Sequence, residues 1–282
     1  MSRQDHLDHN MKITTLYRHL AGALGLPRLP LRARFSSELR QTLLLFWICR
    51  FQATPSWVAQ SLVGSPHKAT LSGAVKGLRE RGLIKLSNPW QAYDIHPGKH
   101  RWQVLSPTAD GLEYAYLRCE IESLFGTCGL TDTFRNAAAT QDLVMAYVLA
   151  CQNRIGRIMS EHDRVSDWAD SEKRPDAIVS IGRQIIAIEG EPSPKPSARI
   201  IDSTLRWLAD ISAGTYNHVL VGVLPKYVDR YRKAIGTGIY RFRSGKPYWT
   251  ANVGAAASKR IAVIPLPNWQ HLSPSGRKGG VR

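Results

Sequence analysis

The chain has few of the residues that staple or anchor proteins. Four cysteines, Cys49, Cys119, Cys128 and Cys151, are scattered over 282 residues, and none stands in a C-x-x-C pair. A zinc ligand set or a small disulfide framework needs paired spacing, so both are unexpected and free thiols in a reducing compartment are the simple reading. No apolar run approaches the roughly 20 residues that span a bilayer. The opening Met1-Ser2-Arg3-Gln4-Asp5-His6 carries an acid and a histidine and leads into no apolar signal core. No internal repeat is present. A cytoplasmic protein is therefore expected. Acids are also scarce: 22 Asp and Glu stand against 38 Lys and Arg, a formal net charge of +16. That excess favours a polyanionic partner, of which nucleic acid is the commonest. A membrane surface would need a long basic amphipathic stretch, and none is found.

What is present suits a soluble globular protein of two ordinary domains, with 43% hydrophobic and 21% charged residues. Residues 1–35 read as an N-terminal arm. A short helix from Ile13 to Leu24 ends at Gly25, and Pro27 and Pro30 block its continuation. Arg28, Arg32 and Arg34 follow on an extended segment, which suits either an arm on DNA or a solvated linker.

Residues 36–120 read as a winged helix-turn-helix. Ser36 or Ser37 can cap a helix through Leu39, Leu43, Leu44, Trp47 and Ile48. Thr54-Pro55 and Ser65-Pro66 each give an N-cap followed by proline in the first turn, starting a second and a third helix. Gly64 and Gly82 end them. Two short helices joined by a tight turn are the helix-turn-helix arrangement. Leu83 to Leu86 and Trp102 to Leu105 are candidate wing strands. The third helix offers His67, Lys68, Thr70, Ser72, Lys76 and Arg79, and the wing loop Lys99 and Arg101. These types reach phosphates or base edges in a major groove, so a double-stranded DNA partner is expected. Trp47, Trp57 and Trp102 are candidate core residues.

Residues 121–140 read as a linker. Leu143, Val144, Tyr147, Val148, Cys151 and Ile155 then recur at helical spacing. The most informative segment follows. Asp176 opens the apolar run Ala177 to Ile181, Gly182-Arg183 makes a turn, and the run Gln184 to Ile188 ends in Glu189-Gly190-Glu191. Folded as a hairpin, this gathers three carboxylates at one end of two paired strands. Glu189 and Glu191 are two apart and share a face. Crowded carboxylates repel, and a hard divalent cation, Mg²⁺ or Mn²⁺, relieves that repulsion. Asp176, Glu189 and Glu191 are thus the candidate metal ligands and catalytic acids. Lys195 lies close enough to reach a phosphate or to sit at the start of the next helix. Glu161 and His162 are further candidates for a ligand or proton carrier, on the helix before the hairpin. Ser197 to Ile211 is expected as a helix with Ile200, Ile201, Leu205 and Leu208 inside, His218 to Leu224 as a buried strand, and Val228 to Ile235 as another helix. Residues 266–282 form a basic tail.

The pattern Pro175-Asp176, a strand, then Glu189-x-Glu191 resembles the PD-(D/E)xK nuclease fold, with Glu191 standing where most members carry lysine. The longer pattern Glu189-x-Glu191-x-x-x-Lys195 resembles the replication-relaxation proteins and MobC-type mobilisation relaxases. The resemblance covers residues 36 to 240. It implies an α+β chain: an N-terminal winged helix-turn-helix, then, over residues 130–265, an α/β restriction-endonuclease-like domain with an αβββαβ core. The implied activity is metal-dependent DNA nicking at a plasmid transfer or replication origin, with an accessory mobilisation protein as a possible partner. Two other functions remain open: a non-catalytic DNA-binding regulator, and a defence endonuclease. The chain has no His-x-His cluster, and nothing local activates Tyr17 as a nucleophile, so metal-activated water is preferred to covalent attachment.

Overall fold

The run from Leu43 to Phe51, apolar but for Arg50, folds as the second half of helix α1 (Ser37–Phe51), and every residue in that run is buried. A helix that is apolar all round belongs to a core. The structure is a computed structural model and describes residues 19–26, 37–63, 68–87, 103–118, 134–151, 155–163, 174–236, 239–243, 246–250 and 252–266. The fold is mixed α+β. Around α1 stand α2 (Ser56–Leu62), α3 (Lys68–Glu80) and α4 (Ala109–Tyr116). A small antiparallel sheet, β1 (Thr54–Pro55), β3 (Val104–Pro107) and β2 (Ile84–Ser87) in that spatial order, completes this part.

Two local expectations change. Thr54 does not cap α2. Thr54 and Pro55 pair with Leu105 and Val104, and Pro55 precedes the helix with φ −68° and ψ 144°. The fixed φ of proline suits extended backbone as well as a first helical turn, and pairing with β3 lets Thr54 be buried. Helix α2 thus starts without a side-chain cap, whereas α4 has one: the Thr108 hydroxyl accepts the Gly111 N–H at 3.0 Å. The start signal Ser65-Pro66 and Trp102 lie outside the described residues.

The second part runs α5 (Phe134–Cys151), β4 (Ile155–Ser160), β5 (Ala177–Ile181), β6 (Gln184–Glu191), α6 (Ser197–Ser212), β7 (His218–Val223), a short 3₁₀ turn (Pro225–Tyr227), α7 (Val228–Gly236), the hairpin β8 (Ile239–Arg243) and β9 (Lys246–Thr250), α8 (Asn252–Arg260) and β10 (Ile261–Pro265). Five strands form one sheet in the order β10-β7-β6-β5-β4. β5 runs antiparallel to both of its neighbours, β4 and β6, while β6, β7 and β10 are parallel. From α5 to β7 the order is helix, three strands, helix, strand.

Helix α5 begins at Phe134, inside the expected linker, because Ala137 to Ala139 are too small to print an apolar period. Ile155 opens β4 rather than extending α5: its spacing matches the helix, but the helix ends at Cys151. Helix α6 buries Ile200, Ile201, Thr204, Trp207 and Asp210, whereas Leu205 and Leu208 are only half-buried. The stripe is rotated towards Trp207, the largest apolar side chain on the helix.

Alternate residues of the sheet face opposite sides. Ile186, Ile188 and Leu220 share a cluster with α5, while Ala187, Val219 and Val221 share one with Ile200 and Trp207 of α6 and Tyr231 of α7. The cluster on the α5 side continues without a break into α1, α2 and β3. Polar ties cross the same boundary. Trp47 Nε1 donates to Gln141 Oε1 at 2.9 Å, and Trp57 Nε1 donates to Asp142 Oδ1 at 2.8 Å. Arg50, 1% exposed, pairs with Asp163 at 2.9 Å and also donates to the carbonyls of Ile158 and Leu24. Helices α1 and α2, with β1, therefore rest directly on the layer that carries the acidic strand, and α3 and α4 pack on α1.

Candidate functional site

The acidic residues are placed by the hairpin. Gly182, at φ +58°, supplies the left-handed backbone that closes the two-residue turn. Ile181 then pairs with Gln184 and Ala177 with Ile188. Beyond Ile188, β6 continues beside β7, with Glu189 level with Val221 and Glu191 level with Val223. Both glutamates point to the α6–α7 side, the side of Ala187. They are 1% and 4% exposed. Burial of two carboxylates is tolerable only with donors at hand. Trp207 Nε1 donates to Glu189 Oε1 at 3.1 Å, and the Lys195 ammonium pairs with Glu191 Oε1.

Asp176 is held differently. Its Oδ2 accepts the Gly190 N–H at 2.8 Å and the Thr140 hydroxyl at 3.0 Å, so the carboxylate is bonded towards α5. Gly190 allows this close approach. A Cβ at that position would lie 2.4 Å from Thr140 Oγ1, 2.5 Å from Thr140 N and 2.8 Å from Asn136 O. Two of these atoms are helix backbone and cannot swing aside. Gly190→Ala should therefore lower stability by roughly 1–3 kcal/mol or more, measured as a lower urea midpoint at unchanged m-value.

Asp176, Glu189 and Glu191 thus meet at one end of the sheet, but approach it from opposite sides. Among the described residues, no three His, Cys, Asp or Glu side chains form a group that could hold a metal ion. Their donor chemistry, carboxylate oxygen only, does fit a hard divalent cation.

Glu161 and His162 stand in the turn after β4, not on the preceding helix, since β4 intervenes. The Glu161 N–H donates to the Asp176 carbonyl at 3.0 Å, which brings this turn beside the acidic end. Burial and the nearby Arg174 hold the His162 imidazole below its usual pKa, against a smaller opposite pull from Asp176. His162 is therefore neutral at pH 7 and able to accept a proton.

Sequence reasoning missed Thr140, Trp207, Asp210, Tyr216 and Tyr231. The Tyr216 hydroxyl donates to Asp210 Oδ2 at 3.0 Å. Burial first, then the Asp210 carboxylate, push the Tyr216 phenol far above its ordinary range; burial and Glu191 do the same to Tyr231. Both phenols keep their protons, and that of Tyr216 is donated to Asp210. A signal for Trp207 and Asp210 existed: they continue the 200, 204 stripe at steps of three. Thr140 had none.

On α3, Ser72, Lys76 and Arg79 are exposed and Thr70 is half-buried. Lys76 pairs with Glu80 at 3.7 Å, with both side chains well exposed. Such a surface pair is weak and leaves Lys76 available to a stronger anion. Lys68 is the first residue of α3. His67, Lys99 and Arg101 lie outside the described residues.

No protein-family model, no curated protein and no solved structure matches this chain.

Proposed function

We propose that the protein is a metal-dependent DNA endonuclease that nicks a plasmid transfer or replication origin, a relaxase or replication-relaxation protein. In this reading α1–α4 with β1–β3 are a winged helix-turn-helix, and α5 to β10 are a PD-(D/E)xK-like unit. One observation carries it: two buried glutamates, an aspartate and a lysine gather at the end of a central strand, where charge is expensive unless it is used.

Asp176, Glu189 and Glu191 would hold Mg²⁺ or Mn²⁺, which neutralises phosphate charge and makes a bound water a nucleophile. Trp207 fixes the Glu189 carboxylate through its indole N–H. Lys195 carries a positive charge that can pass from Glu191 to a phosphate oxygen as charge develops there. His162, neutral beside Asp176, can take up a proton. The duplex lies against α3, which packs on α1, and the contacts of α1 with β4 and of α2 with α5 link that helix to the layer that carries the acids. Partners in this reading are double-stranded origin DNA and an accessory mobilisation protein.

Incubation of the purified chain with supercoiled plasmids, with and without the cognate origin and with and without Mg²⁺, tests the proposal. Open circles should form only with origin and metal together; no conversion under any of these conditions would reject it. The α3 assignment has its own test. Lys76→Ala with Arg79→Ala should reduce the slope of log K against log salt by roughly 2, one for each lost phosphate contact. An unchanged slope, with an unchanged circular dichroism spectrum, would move the DNA away from α3.

A second reading is a non-catalytic DNA-binding accessory. The pairing of Glu191 with Lys195 favours it, because an internal cation already offsets one of the acids.

A further inference from the structure

The face of the sheet that carries α5 is closed at one end and open at the other. Near the acids the closure is tight: a Cβ on Gly222 of β7 would lie 2.3 Å from Leu143 Cδ1 on α5. At the opposite end, Ile186 is level with His218, and Leu220 with Ala262 of β10. Ala262 is exposed, although it lies on an internal-looking apolar strand. Over it opens a cavity of about 350 Å³.

The cavity has distinct chemical sectors. Ile186, Leu220 and Ala262 make an apolar floor, and Tyr147 of α5 adds an aromatic wall. Gln184 and His218, at the starts of their strands, bring hydrogen-bonding groups to the same face. Lys259 and Arg260, both exposed at the end of α8, bring two cations. Among the described residues no Asp or Glu lines it.

We propose that this cavity binds a nucleotide, its base on the apolar floor beside Tyr147 and its phosphate at Lys259 and Arg260. Two cations with no acid select an anion. An apolar floor with an aromatic wall selects a flat, weakly hydrated body joined to that anion, and bases meet proteins by such stacking. A bare phosphate would leave the floor unused, and an aliphatic chain would leave the two cations and the Gln184 amide unused. The volume lies in the ordinary range for small-ligand sites, roughly 300–1,000 Å³. Gln184 and Glu191 are at opposite ends of β6, roughly 23 Å apart at about 3.3 Å per residue. The nucleotide held here is therefore not the one that would be cut, and the inference does not depend on metal binding at the acids.

The test is calorimetric titration of the full chain with deoxyadenosine 5′-monophosphate, deoxyadenosine, inorganic phosphate and a six-residue deoxyadenosine oligomer. The monophosphate should bind saturably, and the nucleoside or phosphate alone at least about tenfold more weakly, since each lacks one of the two contacts. Ala262→Trp, which fills the cavity, and Lys259→Ala with Arg260→Ala should each weaken binding by at least about tenfold. Both should melt as the native chain does; if Ala262→Trp fails to fold, the charge variant decides. Tighter binding of the oligomer, in competition with the monophosphate, would make a DNA strand the source; preference for the monophosphate would make it a free nucleotide. Absence of saturable monophosphate binding at millimolar concentration overturns the proposal, as does equal binding of inorganic phosphate, or undiminished binding in folded variants. Monophosphate binding without any nicking would reject the enzyme reading and leave this site standing.

Discussion

Glu189→Gln is expected to lower plasmid nicking by more than about 10²-fold while leaving origin affinity within about twofold. The lower bound follows from magnitudes: loss of a group that merely supports a metal ligand costs about 10- to 100-fold, and loss of a ligand costs more. The glutamine keeps an oxygen for the Trp207 N–H at 3.1 Å, so the fold should survive. Asp176→Asn should behave alike, because the amide oxygen can still accept from Gly190 and Thr140. Helix α3, the proposed DNA contact, is untouched in both variants. Mobility shifts and agarose conversion assays on the same preparations separate binding from cleavage. Full nicking by both variants in metal-containing buffer would remove the acids from the chemistry.

Arg50→Met is expected to cost the most stability of any single change, about 3–5 kcal/mol. Arg50 is a fully buried guanidinium that donates to Asp163, to the Ile158 carbonyl and to the Leu24 carbonyl. Methionine fills much of its volume and satisfies none of these acceptors. The Asp163 carboxylate would then sit in the core without its countercharge. Burial already pushes the Asp163 carboxyl above its usual range against the pull of Arg50, so in the variant the upward push gains. The sign follows from proton linkage. A folded-state pKa above the unfolded value of about 3.9 means that the folded chain binds the proton more tightly. The Asp163 contribution is then most favourable below about pH 4 and is lost as pH rises through the folded-state pKa. The deficit of Arg50→Met should accordingly be smallest in mild acid and full at neutral pH. Replacing Asp163 by leucine in the same chain should recover part of it, because an apolar pair is often no worse than a buried ion pair. Urea denaturation at pH 4.5 and 7.5 measures both statements. A loss under about 1 kcal/mol at pH 7.5 would mean that Arg50 does not bridge the two parts as described.

The hairpin was legible because its signals are local. Gly182 marks the turn, the runs on either side are apolar, and the spacing of Glu189 and Glu191 fixes their common face. The helices with one clear apolar face, α6 and α7, were legible for the same reason. The direction of Asp176 was not. It depends on Gly190 and Thr140 meeting across the α5–β6 contact, and a contact between elements leaves no periodicity in the chain. The extent of α5 was hidden by its small residues, which pack closely without an apolar signature. β4 was hidden because Ile155 and Ile158, three apart, suit a helix as well as a strand with the irregularity seen between Ile155 and Arg157. Trp47 was expected in the core, yet its bond to Gln141 and the Arg50–Asp163 pair join residues 94 and 113 apart. Arginine is rarely buried, so nothing in the order of residues singles out Arg50.

The central claim is that the acidic end of β6 takes a divalent cation for use on DNA. Its most direct measurement is a Mn²⁺ titration of the full chain followed by electron paramagnetic resonance, with and without origin duplex, for the native protein, Glu189→Gln and Asp176→Asn. The account predicts saturable Mn²⁺ uptake by the native chain that both variants lose while still binding the duplex. No saturable uptake by the native chain in the presence of DNA, or equal uptake by all three proteins, would contradict it.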